Sequence, residues 1–111
     1  MPSLTTHVLD ISLGRPATGL SVRLERFDRA AWTAVAEAMT DIDGRVRDWL
    51  PDGVPAGLYR LVFETGVWFA RSGRATLYPR VHIDCDLEGD QPHYHVALLL
   101  APFGFSTYRG T

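Results

Sequence analysis

The sequence contains no lysine and no asparagine; its 11 basic residues are all arginine. Without lysine there is no Schiff-base amine and no phosphate-loop lysine. Against 13 acidic residues the arginines leave a formal net charge of −2, with none of the basic surplus that nucleic-acid binding requires. Coding bias towards arginine accounts for most of them, and a role for any one has to be argued at its own position. Cysteine is nearly absent as well. Cys85 stands alone, so no intrachain disulfide framework is possible. The opening stretch MPSLTTHVLD lacks the basic region and apolar core of a secretory signal. The longest apolar run, Val96 to Phe103, is broken by Pro102 and is too short to span a bilayer. These absences point to the cytoplasm, with no membrane and no nucleic-acid partner.

What is present describes an ordinary globular domain. The chain has 111 residues, 46% hydrophobic and 22% charged, which is the size and composition of one domain over residues 1–111. Period-2 alternation recurs, and no long helical stripe competes with it. Leu4–Ile11 reads as a strand that ends at Gly14-Arg15-Pro16. Leu20, Val22 and Leu24 alternate with Ser21, Arg23 and Glu25, and Gly57–Thr65 alternates in the same way. Arg80–Leu87, His93–Ala101 and a last segment from Gly104 towards Tyr108 complete the strands. Trp32–Thr40 fits helix or strand, Asp43-Gly44 marks a turn, and Val67–Ser72 is the best candidate for a short helix. The pattern predicts an all-β antiparallel sandwich or barrel. The His93–Ala101 strand is apolar on both sides: Tyr94, Val96, Leu98 and Leu100 alternate with His93, His95, Ala97 and Leu99. A domain of this size has no second core to cover that second face, so a partner subunit is expected there, with His95 at or near the contact.

Few residues are placed to do chemistry. His93 and His95 share a strand face and His82 precedes them, but no cysteine pair or spaced glutamate completes a metal site, so no metal and no cofactor is expected. No serine lies in a nucleophile elbow. Cys85 sits between Asp84 and Asp86, which raise a thiol pKa, and reads as a small strand residue. Paired carboxylates for glycoside chemistry are absent. Neutral imidazole and arginine remain: His7 in TTHVLD, Arg45 after Asp43-Gly44, and the polar ending FSTYRGT. Taken singly, each has a plain structural account as a satisfied strand residue, a solvated turn residue and a frayed end.

In combination they match a known family. TTHVLD, Gly14-Arg15-Pro16-Ala17, TDIDGR (Thr40 to Arg45) and HYHVALLLAPFGFSTYRGT resemble the 5-hydroxyisourate hydrolases, the transthyretin-related proteins, in order and across nearly the whole chain. The terminal tetrapeptide of tyrosine, arginine, glycine and a hydroxyl residue is the most specific mark, and the histidine of HVLD is the second. The resemblance implies a transthyretin-like two-sheet antiparallel sandwich with one short helix. It implies a homotetramer with substrate at the dimer–dimer interface, and hydrolysis of 5-hydroxyisourate to 2-oxo-4-hydroxy-4-carboxy-5-ureidoimidazoline. The family's catalytic positions fall on His7, Arg45 and His95, and its substrate-binding positions on Ser106, Tyr108, Arg109, Gly110 and Thr111. The histidines would share water activation and proton delivery to the leaving ring nitrogen, and Arg45 would polarise the carbonyl. Ala97, Ala101, Phe105, Leu77-Tyr78-Pro79 and Thr111 depart from the commoner residues of the family. Two other readings stay open on the sequence: a non-catalytic small-ligand binding module, and an enzyme of this fold acting on another cyclic amide or ureide.

Overall fold

A computed structural model describes all of residues 1–111. Nine strands and one helix follow in order: β1 (Ser3–Asp10), β2 (Arg15–Pro16), β3 (Ser21–Asp28), β4 (Ala31–Met39), β5 (Arg45–Val46), β6 (Gly57–Phe63), α1 (Thr65–Arg71), β7 (Val81–Leu87), β8 (His93–Ala101) and β9 (Gly104–Gly110). They form two sheets. One runs β2-β1-β8-β9, with β5 also paired to β1, and the other runs β4-β3-β6-β7. All pairings are antiparallel except β1 with β8, which is parallel. That exception departs from a purely antiparallel sandwich and follows from chain order. After β1 the chain builds the whole second sheet and then returns through β8 in the same direction, the long crossover that a parallel pair requires.

The alternations read from sequence select the inner faces. Leu4, Thr6, Val8 and Asp10 of β1 are buried, whereas Ser3, Thr5, His7 and Leu9 are only half-buried. Tyr59, Leu61 and Phe63 of β6 and Leu98 and Leu100 of β8 are fully enclosed between the sheets. This single apolar cluster, joined by Leu20, Leu24 and by Phe69 of the helix, is the core that fixes the sheets face to face. The buried hydroxyl of Thr6 donates to the Val96 carbonyl at 2.7 Å, which ties the parallel pair together beneath the outer face.

Two segments differ from their sequence outlines. The Trp32–Thr40 ambiguity resolves as the exposed edge strand β4. Its register with β3 shifts by one residue at Leu24/Glu25, where Ala36 and Ala34 are the partners and Val35 is skipped. The resulting bulge breaks the period-2 pattern in the middle of the strand and blurs its signature. The helix begins two residues earlier than expected, at Thr65.

The β3–β4 hairpin turns on Arg29 and Ala30, both at positive φ (51° and 64°), with Asp28 and Ala31 paired on either side. Two-residue turns of this hand favour asparagine and glycine, and this chain has no asparagine to place there. Ala30→Gly is expected to relieve the strained backbone and raise unfolding stability by about 0.5–1 kcal/mol. Chemical denaturation checks this, and a lowered midpoint would contradict it.

Candidate active site

The strand ladder assembles the site. β1 turns Thr5 and His7 to its outer face. The parallel register then sets His95 beside Thr5 and Ala97 beside His7. On the other edge of β1, the antiparallel pairing of β5 puts Arg45 opposite His7. β9 brings Gly110 opposite His95 from the far side of β8. Four strands thereby gather His7, Arg45, His95 and Gly110 on one outer face. The two imidazole rings lie 6.4 Å apart, centroid to centroid, at 43°.

Local turn chemistry holds the arginine and one histidine. The Asp41 carboxylate accepts from the backbone N–H groups of Asp43 and Arg45, both at 2.9 Å. These bonds, with the bond from Arg45 foremost, hold the Asp41 carboxyl below its usual range. Gly44 sits at φ 77°, where a Cβ would come within 2.4 Å of the Val8 carbonyl oxygen, so glycine is required. The turn aims the Asp43 carbonyl at His7, whose Nε2–H donates to it at 2.8 Å. A carbonyl only accepts, so a proton sits on Nε2, and Nδ1 makes no hydrogen bond within the chain. Asp41 and Asp43 are approached by Arg47, at 3.9 and 4.0 Å, whereas Arg45 makes no ion pair. Its charge is therefore available to the neighbouring space.

That space is a cavity of about 240 Å³ lined by Thr5, Thr6, Arg45, Val46, Arg47, His93, His95 and Thr111. Its wall carries two arginines, two histidines and no acidic side chain, which suits an anionic or strongly hydrogen-bonding planar ligand. Burial pushes the His95 pKa down, and the positive fields of Arg45, His7 and His93 add to it. His95 is therefore neutral near pH 7 and able to take up a proton. Thr5, Arg47 and His93 belong to this wall although sequence reasoning did not single them out for it. The signal for Thr5 was present, since it shares the β1 face of His7.

The terminal motif divides between two faces. With Gly110 opposite His95 and Tyr108 opposite Ala97, alternation carries Arg109 to the other face, level with Val96. There its guanidinium lies 4.5 Å above the Tyr94 ring and reaches Gln91 Oε1 at 3.5 Å. The Arg109 side chain thus turns away from His95 within this chain. Ser106 lies opposite Leu99, two ladder positions beyond Tyr108 and about 13 Å along the strand from Gly110. The structure therefore does not bring it to His95. Thr111 does line the cavity. Gly110 has a steric role that sequence alone did not reveal, because a Cβ there would lie 2.5 Å from Cδ2 of the His95 ring.

Two other groups considered from the sequence stand apart. His82 lies on β7 opposite Val62, in the other sheet from His93 and His95, so the three do not converge. The Cys85 thiol is pushed up to about 11, by burial first and by Asp84 and Asp86 second, which keeps it protonated and unreactive.

Comparison with known proteins supplies the lineage. The family model described as "HIUase/Transthyretin family" matches residues 4–110. The chain belongs to the HIUase/Transthyretin family. Among HIUase/Transthyretin relatives, it is 42% identical to the 5-hydroxyisourate hydrolase of Caulobacter vibrioides over 115 positions, with the whole of both chains covered. It is 38% identical to that of Salmonella dublin, covering 97% of this chain and 80% of the relative. The solved 5-hydroxyisourate hydrolase of Klebsiella pneumoniae superposes with a TM-score of 0.87 at 44% identity, covering 98% of this chain and 99% of that one. Sea bream transthyretin in complex with thyroxine superposes at 0.92 with 27% identity, covering 97% of this chain and 94% of that one. Backbone shape is thus shared across the family, while sequence identity is higher to the hydrolases.

Gly110→Ala is expected to displace the His95 imidazole and cost about 1–3 kcal/mol of stability through overpacking. Ring resonances of His95 should move while those of His82, in the other sheet, stay in place. An unshifted His95 would contradict the steric role given to Gly110.

Proposed function

We propose that residues 1–111 form a single hydrolase domain that opens 5-hydroxyisourate to 2-oxo-4-hydroxy-4-carboxy-5-ureidoimidazoline. One observation carries the reading: His7 and His95 stand 6.4 Å apart on one outer face, and the neutral His95 and the unpaired Arg45 line one polar cavity to which no acidic side chain contributes. The names of the relatives, 5-hydroxyisourate hydrolases, agree with it. The substrate is a readily ionised purine derivative whose six-membered ring contains an activated lactam. A wall rich in arginine and imidazole attracts its acidic imide edge and admits water.

In this mechanism His95 takes a proton from water, and the oxygen adds to the lactam carbonyl carbon. Negative charge collects on the carbonyl oxygen, where the Arg45 guanidinium stabilises it. The C–N bond then breaks, the proton held on imidazole passes to the leaving nitrogen, and the acid formed releases the second water proton to solvent, leaving a carboxylate and a ureido group. His7 offers its Nδ1 lone pair from the other side of the site and orients the attacking water. Gly110 gives His95 its space, Thr111 and Tyr108 border the substrate, and Ser106 and Arg109 shape the strand that carries them. No metal or organic cofactor takes part.

We further propose a homotetramer with the sites at the dimer–dimer interface. Ala97 and Leu99 make the outer face of β8 apolar beside the histidines, and Leu13 and Phe103 stand exposed on neighbouring loops. The outermost strands β7 and β9 have free edges available for pairing. No helix is long and apolar enough to cross a membrane, and we assign the protein to the cytoplasm.

The reading is tested by generating 5-hydroxyisourate with urate oxidase and following its absorbance decay. Wild-type protein should accelerate the decay, and a rate equal to the spontaneous one would reject the hydrolase in favour of a ligand-binding module. Arg45→Ala should lower kcat/KM by roughly 100-fold or more with the assembly intact. Arg45→Lys should recover only part of it, because an ammonium lacks the planar fork. Full activity in Arg45→Ala would remove Arg45 from the mechanism.

The pH profile gives an independent check. Lowering pH protonates His95 and removes the lone pair that accepts the water proton, so kcat/KM falls on the acid side. Because the folded pKa of His95 lies below its ordinary value of 6.5, that limb is expected to be centred below pH 6.5. An acid limb centred above 6.5 would exclude His95 as the base.

A further inference from the structure

A line of hydrogen bonds leads from His95 away from the cavity. His95 Nδ1 lies 2.7 Å from the Thr5 hydroxyl. The same hydroxyl lies 3.1 Å from His93 Nε2. On the far side of that ring, His93 Nδ1 is 2.6 Å from the Ser3 hydroxyl. Ser3 Oγ in turn lies 3.4 Å from the Pro92 carbonyl. The arrangement follows from the parallel register, which sets Ser3 beside His93 and Thr5 beside His95. On a strand, residues two apart share a face, so two hydroxyls from β1 alternate with two imidazoles from β8.

Counting protons gives the line its direction once the Ser3 hydroxyl proton is placed. A neutral imidazole carries one N–H, and a hydroxyl has one proton to give. The Pro92 carbonyl takes both the Ser3 backbone N–H at 3.1 Å and the Ser3 hydroxyl at 3.4 Å, and with the hydroxyl proton placed there the Ser3 oxygen accepts from His93 Nδ1–H. The bare Nε2 of His93 then accepts from Thr5. With its single proton committed, the Thr5 oxygen accepts from His95 Nδ1–H. The proton of His95 is thereby held on Nδ1, and its lone pair is left on Nε2. In the opposite polarity Ser3 would donate to His93 Nδ1, the Pro92 carbonyl would keep the Ser3 backbone N–H at 3.1 Å, and the His95 proton would sit on Nε2; the two polarities therefore differ in the His95 tautomer that the spectra below read. Thr5 and His93 also line a second surface pocket of about 280 Å³ beside Ser3, so the line spans the wall between the cavity and the outside.

We infer that Thr5 and His93 are positioning residues that fix the Nδ1–H tautomer of His95 and present its Nε2 lone pair to the reacting water. The catalytic consequence rests on the hydrolase reading; the tautomer itself does not. The task resembles that of a third group orienting a general base, carried out here by neutral groups in place of a carboxylate.

The test uses full-length protein with 15N-labelled histidine. Long-range proton–nitrogen correlation spectra distinguish a protonated ring nitrogen from a bare one, and single His→Gln substitutions assign the four rings. Wild-type His95 should have a protonated Nδ1 and a bare Nε2. Thr5→Val keeps the side-chain shape and strand preference but removes the hydroxyl. It should give a mixture of His95 tautomers, lower kcat roughly tenfold or more and leave KM within about threefold. Thr5→Ser should restore both the spectrum and the rate, which a purely structural role for Thr5 would not require. His93→Ala should reproduce the Thr5→Val change in weaker form. A wild-type His95 protonated on Nε2, or a Thr5→Val protein with unchanged tautomer and unchanged kcat, overturns the inference. Wild-type protein that does not accelerate 5-hydroxyisourate decay overturns the functional reading instead, and the spectra then decide the positioning role by themselves.

Discussion

The parallel pairing of β1 with β8 is the constraint on which the remainder depends. One inner row of that pair, with Leu4, Val8, Leu98 and Leu100, lies in the core between the sheets. The other row carries Thr5 and His7 beside His95 and Ala97. Because side chains alternate strictly along a strand, the core fixes the register of the outer face as firmly as that of the inner one. A slip of one residue would expose the leucines and bury the histidines. The stability of the sandwich and the geometry of the site are therefore two sides of one ladder.

The electrostatics of the outer face follow from what borders it. Arg45 and Arg47 come from the segment that pairs with or follows β1's edge, and the nearby carboxylates lie at Arg47 rather than Arg45. Positive charge next to half-buried imidazole favours the neutral ring. Burial first, and the charge of Arg45 after it, thus keep His95 in the state that takes up a proton. Hydrogen bonds choose which nitrogen is left bare: the Asp43 carbonyl does so for His7, and the hydroxyls of β1 for His95.

The fold alone does not distinguish catalysis from binding. The thyroxine-bound transthyretin of sea bream superposes at 0.92 and the Klebsiella hydrolase at 0.87, so the scaffold accommodates both. A two-sheet sandwich presents an outer face whose residues are free of the core, and chemistry is written there without disturbing the packing. His7, Arg45 and His95 all occupy such positions. Gly110 is tied to them by the room it leaves for a ring.

The sequence by itself determined the long strands and their inner faces, through alternation that needs no partner to be seen in segments such as Gly57–Phe63, while the two-residue strands β2 and β5 are too short to alternate. The Asp43-Gly44 turn and the residue types of the site were legible there too. Its weak points were physical. The bulge at Val35 hid β4 by breaking the period, and the parallel direction of β8 is invisible to a pattern that is the same read either way. Only the tertiary structure decided which hydroxyl meets which imidazole, since Thr5 and His95 are 90 positions apart in the chain. It also decided that Arg109 of the terminal motif faces Tyr94, away from His95. Sequence periodicity tells which residues share a face of a strand, but the face each strand offers to its neighbour is set by long-range pairing, and that pairing exists only once the sheet has closed around its core.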